Sequence, residues 1–156
     1  MWKNILSTNK INRLQIVQTK IIHNCGEKSY QHIFIFHRGR DGDRIGDTEI
    51  MTIQELIEKT AELQISLSET QVKQLEQYAQ LLVEWNEKMN LTAITEHGEI
   101  LEKHFYDSIL PLGKGKIFGK IADVGTGAGF PGLVWKIVKP ELDVSLIEPT
   151  GKRCTF

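Results

Sequence analysis

Residues 121–132 read Ile-Ala-Asp-Val-Gly-Thr-Gly-Ala-Gly-Phe-Pro-Gly. An apolar run ends in Asp123, and a turn carrying Gly125, Gly127, Gly129 and Gly132 follows. A strand that ends in such a turn brings backbone N–H groups close to a ligand, which is the layout of a nucleotide-type cofactor site. The segment from Gly127 to Gly132 also fits the pattern G-x-G-x-x-G, a weak signal by itself. Glu148 ends the next apolar run, about 20 residues beyond the turn, where an acid accepts hydrogen bonds from ribose hydroxyls in nucleotide-binding folds. NAD and S-adenosylmethionine both carry such a ribose, so Glu148 does not separate them.

Three details favour S-adenosylmethionine. Asp123 stands where it can orient the turn and face a cationic part of a ligand, and it would repel a pyrophosphate. The register Gly125-x-Gly127-x-Gly129 opens a wide backbone loop. Phe130-Pro131 places an apolar plug where a pyrophosphate would need N–H donors.

The elements that must position this turn follow from periodicity. Thr52-Ile-Gln-Glu55 and Ser68-Glu-Thr-Gln71 are capping boxes that open two helices. Ile53, Leu56, Ile57 and Ala61 line the first. Val72, Leu75, Ala79, Leu82 and Trp85 line the second, which should end near Asn90. A third helix is expected from about Glu96 to Ile109, with Ile100, Leu101, His104, Phe105 and Ser108 inward, stopped by Pro111 and Gly113. The period then changes. Lys120–Val124 reads as a buried strand, Pro131 suits the first turn of a helix running to about Lys139, and Leu142–Ile147 reads as the next strand. Strand, helix and strand make one βαβ unit and imply a parallel sheet. Two parallel strands cannot bury both faces, so the chain is expected to be the N-terminal fragment of a longer doubly wound α/β domain.

Residues 1–50 differ from the rest. Ile33-Phe-Ile-Phe36 could be a strand, whereas the Gly/Asp/Arg run 38–47 reads as loop or disorder. Its Asp41, Asp43 and Asp47 lack the ligand spacing of a calcium loop. Met51 precedes the first capping box and is the expected natural start, with 1–50 translated from upstream sequence. The 156 residues carry a net charge of −1, distributed as +3 over 1–50, −7 over 51–113 and +3 over 114–156. Lys114, Lys116, Lys120, Lys136, Lys139, Lys152 and Arg153 make a basic rim near the glycine turn that would suit an anionic substrate such as RNA; a solvated lysine surface accounts for it equally well. No apolar run approaches the ~20 residues needed to cross a bilayer. Cys25 and Cys154 form no metal-ligand spacing and read as free thiols of a cytoplasmic protein.

Asp123–Gly132 resembles the first motif of the bacterial ribosomal small-subunit RNA methyltransferase G family. Asn90-Leu-Thr-Ala-Ile94, His104-Phe-Tyr-Asp-Ser108 and Gly151-Lys-Arg153 with Phe156 resemble three further segments of that family, in the same order. The resemblance covers everything from Met51 onward. It implies helices followed by the start of a class I, Rossmann-like methyltransferase sheet, and transfer of a methyl group from S-adenosylmethionine to N7 of a guanine in 16S rRNA. It also implies that Gly125 and Phe130 contact the cofactor, that Gly127 and Gly129 shape the loop, and that Glu148 lies near the ribose.

Guanine N7 already offers a lone pair, so alignment matters more than a base, and no general base is assigned. His104 and Asp107 sit at i and i+3 and would share a helix face. They could touch RNA, close the cofactor pocket or form a structural His–carboxylate pair. Asn90 either caps the long helix or meets RNA. Lys152 and Arg153 meet phosphates or remain solvated. Trp85 and Trp135 fall at core positions. No metal is expected, the small ribosomal subunit is the expected partner, no membrane contact is expected, and a monomer is expected. The fragment is expected to be inactive, because the cofactor pocket needs walls from later strands. An NAD-dependent oxidoreductase and a non-catalytic RNA-binding module are the rival readings.

Overall fold

The computed structural model describes residues 50–115 and 117–156, with backbone segments 10–11, 14–17 and 32–35. Cys25, Lys116, the side chain of Lys114 and the 38–47 run with its three aspartates lie outside the described residues.

Both capping boxes form. Thr52 accepts from the Glu55 amide, the Glu55 side chain accepts in return from the Thr52 amide, and helix α1 spans Ile53–Glu62. Ser68 and Gln71 do the same at the start of α2, Glu69–Met89. These bonds satisfy backbone donors that a helix start otherwise leaves open. Asn90 ends α2 in the left-handed conformation (φ 48°), a position that asparagine tolerates better than most residues. The third helical stretch runs from His97 to Ile109 but is not uniformly α-helical. Short α segments, α3 (His97–Glu99) and α4 (Asp107–Ile109), flank a π-helical stretch over Ile100–Tyr106. In it the Asp107 amide donates to the Glu102 carbonyl, five residues back. Such wide turns are uncommon and recur at functional sites.

Strand β4 (Lys120–Val124), helix α5 (Gly132–Val138) and strand β5 (Asp143–Ile147) form the parallel βαβ unit. The α/β class and the order of helices then parallel strands are as expected. One arrangement was not foreseen. Three strands from before the helices, β1 (Lys10–Ile11), β2 (Leu14–Val17) and β3 (His32–Ile35), extend the same sheet in the order β1-β2-β3-β4-β5. β3 runs parallel to β4, with His32 beside Ile121 and Ile35 beside Val124. Ile33–Ile35 of the Ile/Phe run thus lie in a strand, and β4 is paired on both edges.

The core lies between the helices and β4. Leu56, Leu75, Leu82, Phe105, Ile121 and Trp135 are fully buried. The Trp135 indole N–H donates to the Ser108 carbonyl (2.5 Å), which ties α5 to α4. Gln71 does more than cap α2. Its Oε1 serves the Ser68 amide and hydroxyl, while its Nε2 donates to the Ile137 and Val138 carbonyls, both at 2.9 Å. Leu146 and Ile147 stay exposed on β5. Among the described residues, no helix is long and apolar enough to cross a membrane, and no group of three or more His, Cys, Asp and Glu could hold a metal ion.

The caps give the first test. Replacing Ser68→Ala removes the acceptor for the Gln71 amide and should lower stability by about 1 kcal/mol, read as a lower midpoint in chemical denaturation.

Candidate functional site

The glycine turn is built from below by Asp123. This residue ends β4 fully buried, and its Oδ2 accepts from the Thr126 hydroxyl (2.7 Å) and from the Gly132 amide (2.9 Å). One oxygen therefore pins the middle of the loop and the start of α5 to the strand end. Its Oδ1 is buried without a hydrogen-bond partner among the described residues. Burial pushes the Asp123 carboxyl up to about 6, against the lowering effect of the bonds from Thr126 and Gly132. The expectation that Asp123 orients the turn holds. The expectation that it faces a cationic ligand is corrected, because its carboxyl lies enclosed beneath the loop.

Two glycines are required for different reasons. Gly129 has φ 100°, a conformation other residues rarely adopt, and an added Cβ would lie 2.8 Å from the Tyr78 hydroxyl. Gly132 has ordinary backbone angles, but a Cβ there would meet Leu146 Cδ2 at 2.5 Å and Asp123 Oδ2 at 2.7 Å. Gly125 and Gly127 differ again. Both have positive φ, a Cβ at Gly125 would meet nothing within 4 Å, and one at Gly127 would meet only the Gly125 carbonyl, at 4.0 Å. Among the described residues, their outer side is open space.

The backbone donors of the loop are largely committed within the protein. The Gly125 and Thr126 amides donate to the Ile147 carbonyl, and those of Gly129 and Phe130 to the Thr126 carbonyl. The Gly127 amide donates to Glu148 Oε2 (2.8 Å) and the Leu133 amide to the Gly129 carbonyl. The expectation of bare N–H groups turned towards a ligand is therefore corrected for most of the loop: the strand ends and the loop itself engage them. What remains outward is an open, Cβ-free face beside Glu148. That carboxyl also accepts from the Thr150 amide (2.8 Å). The Thr150 amide foremost, then the Thr150 side chain, the Gly127 amide and the charge of Arg153, hold it below the usual carboxylate value. It is anionic at neutral pH and keeps lone pairs for further donors.

On the other side of the turn, aromatic rings gather on Phe130. His104 stacks on it at 4.5 Å between centroids, Tyr78 at 5.3 Å, and Phe105 lies at 6.1 Å. The His104 Nε2 shares a hydrogen bond with the Thr92 hydroxyl (2.8 Å). The Asn90–Ile94 and His104–Ser108 segments thus meet each other beside the glycine turn. His104 lies in the π-helical stretch and Asp107 directly follows it; Asp107 is half-buried.

Asn90 is the exposed C-cap of α2. Lys152 is exposed and Arg153 half-buried, opening the short turn Arg153–Thr155. Trp135 is core, whereas Trp85 is half-buried against Phe156. Of the described basic rim, the Lys136 ammonium is engaged by the Pro140 and Leu142 carbonyls.

Tyr78 is the site residue that sequence reasoning missed. Its hydroxyl donates to the Ala128 carbonyl (2.5 Å) in a buried contact. Its place three residues after Leu75 on the apolar face of α2 was the available signal, but an aromatic there reads as core.

A family model described as GidB, rRNA small subunit methyltransferase G, matches residues 71–156. The chain belongs to this family. Relatives carrying the name ribosomal RNA small subunit methyltransferase G agree. The one from Lactococcus lactis subsp. cremoris is 51% identical over 109 residues, covering 68% of this chain and 46% of that protein. The one from Streptococcus sanguinis is 51% identical with the same coverage. A Streptococcus pneumoniae relative is 54% identical over 99 residues, 62% of this chain and 42% of that protein. The chain spans a little under half the length of these relatives.

The Asp123 carboxyl gives the second test. Its folded-state value is raised from 3.8 to about 6, so folding favours the neutral form. The contribution is complete below pH ~4 and is lost as pH rises through 6, amounting to about 3 kcal/mol in the limit. Subtracting the stability profile of Asp123→Asn from that of the wild type should isolate this decline between pH 4 and 6.5. A flat difference would show that Asp123 does not titrate there.

Proposed function

We propose that the protein this chain represents is an S-adenosylmethionine-dependent methyltransferase acting on N7 of a guanine in 16S rRNA. The observation that carries the cofactor assignment is the open, Cβ-free face at Gly125 and Gly127 beside the Glu148 carboxylate, on a loop whose amides are already bonded. A pyrophosphate needs free N–H donors, and few remain here. A nucleoside with a cationic sulfur needs neither donors nor a positive lining, and its ribose hydroxyls can donate to Glu148. The family membership supports the RNA substrate.

Gly125 and Gly127 would let the cofactor approach the backbone, with Glu148 on the ribose and Phe130 as an apolar wall. The cofactor supplies an electrophilic methyl group on a sulfonium that leaves as a neutral thioether. The guanine N7 lone pair forms the new bond to carbon, and the positive charge passes to the base; no proton moves in that step. The residues therefore serve to align and to exclude water. Arg153 and Lys152 would meet RNA phosphates.

Calorimetry with the full-length protein should show S-adenosylhomocysteine binding and no NAD binding. A chain that bound NAD alone would support the oxidoreductase. Labelled methyl groups should appear on N7 of 16S rRNA with the full-length protein, while salt-sensitive RNA binding without transfer would support the non-catalytic reading. Glu148→Ala should weaken S-adenosylhomocysteine binding by about tenfold, the loss of one charge-assisted hydrogen bond.

A further inference from the structure

Helix α2 reaches the cofactor loop through Tyr78. Tyr78 lies on its buried face, and its hydroxyl donates to the Ala128 carbonyl at the crest of the loop. The same oxygen occupies the space that a side chain on Gly129 would fill. Its ring stacks against Phe105 (5.4 Å), Phe130 (5.3 Å) and Phe156 (6.3 Å). The ring is thus fixed from several directions while the hydroxyl sets where Ala128 points. Burial foremost, and then the Asp123 charge, push the phenol well above its ordinary value of 10, so it stays a donor at any working pH.

The loop has two anchors of different origin. Asp123 holds Thr126 and Gly132 from the strand side. Between those points, Tyr78 holds Ala128 from the helical side. With the carbonyl of Ala128 turned inward, the open side of the loop is left to Gly125 and Gly127.

We infer that Tyr78 is a positioning residue of the cofactor site, through which the helical region sets the shape of the glycine loop. The inference rests on the proposed reading of that loop as a S-adenosylmethionine site. Tyr78 touches no reacting atom; it acts through Ala128 and Gly129.

The test compares, in the full-length protein, Tyr78→Phe with the wild type and with Gln71→Ala, which loosens the far end of α5 instead. Amide hydrogen exchange reads the loop without ligand, and calorimetry with S-adenosylhomocysteine reads its fitness. Tyr78→Phe keeps the ring and loses only the hydroxyl. It should speed exchange of the Gly129 and Phe130 amides by roughly fivefold and weaken S-adenosylhomocysteine binding by a similar factor. Gln71→Ala should lower the denaturation midpoint and leave both loop exchange and binding at wild-type values. Unchanged loop exchange in Tyr78→Phe overturns the inference, as does faster exchange with unchanged affinity. If the wild-type full-length protein fails to bind S-adenosylhomocysteine, it is the cofactor reading that falls, and the exchange arm still decides whether Tyr78 holds the loop.

Discussion

One carboxylate oxygen organises this molecule. Asp123 Oδ2 receives a hydroxyl from Thr126 and an amide from Gly132, and so joins the end of β4, the loop and the first residue of α5 at one atom. The junction is tight enough that position 132 has no room for a methyl group. It is also costly, since the second oxygen of the same carboxyl is buried without a partner. A buried acid retained in this way is a geometric device first: without it the strand end and the helix start have no common acceptor.

Much of this architecture was legible in the residues. The capping boxes gave both helix starts, because the pairing of Thr52 with Glu55 and of Ser68 with Gln71 is local chemistry needing no tertiary partner. Apolar runs gave β4 and β5, and Pro131 marked the start of α5. The less legible parts all depend on long-range partners. Nothing local in Ile100–Tyr106 announces a wider helical turn. Pairing of β3 with β4 joins residues on opposite sides of the helical region. The hydrogen-bonded state of the loop amides depends on Ile147 and Glu148, some 20 residues away. Tyr78 is 50 residues from the carbonyl it holds.

That bonded state bears on which chemistry the turn suits. Glycine-dense turns are alike in sequence, yet they divide into those that offer their N–H groups and those that spend them internally. This loop spends them, and its glycines are useful for what they lack: at Gly125 and Gly127 no side chain stands between the backbone and an approaching molecule. His104, Phe130 and Tyr78 then give the turn an aromatic flank, so the helical region is part of the site's wall and not a separate cap.

Gln71 carries a consequence of its own. Its amide group faces two helix ends at once, oxygen towards the start of α2 and nitrogen towards the last carbonyls of α5. Fraying at either end must release the same side chain, so the two termini open as one cooperative unit. Perturbations at Ser68 and at Val138 would then be thermodynamically coupled despite their separation of some 70 residues, and their effects would not add.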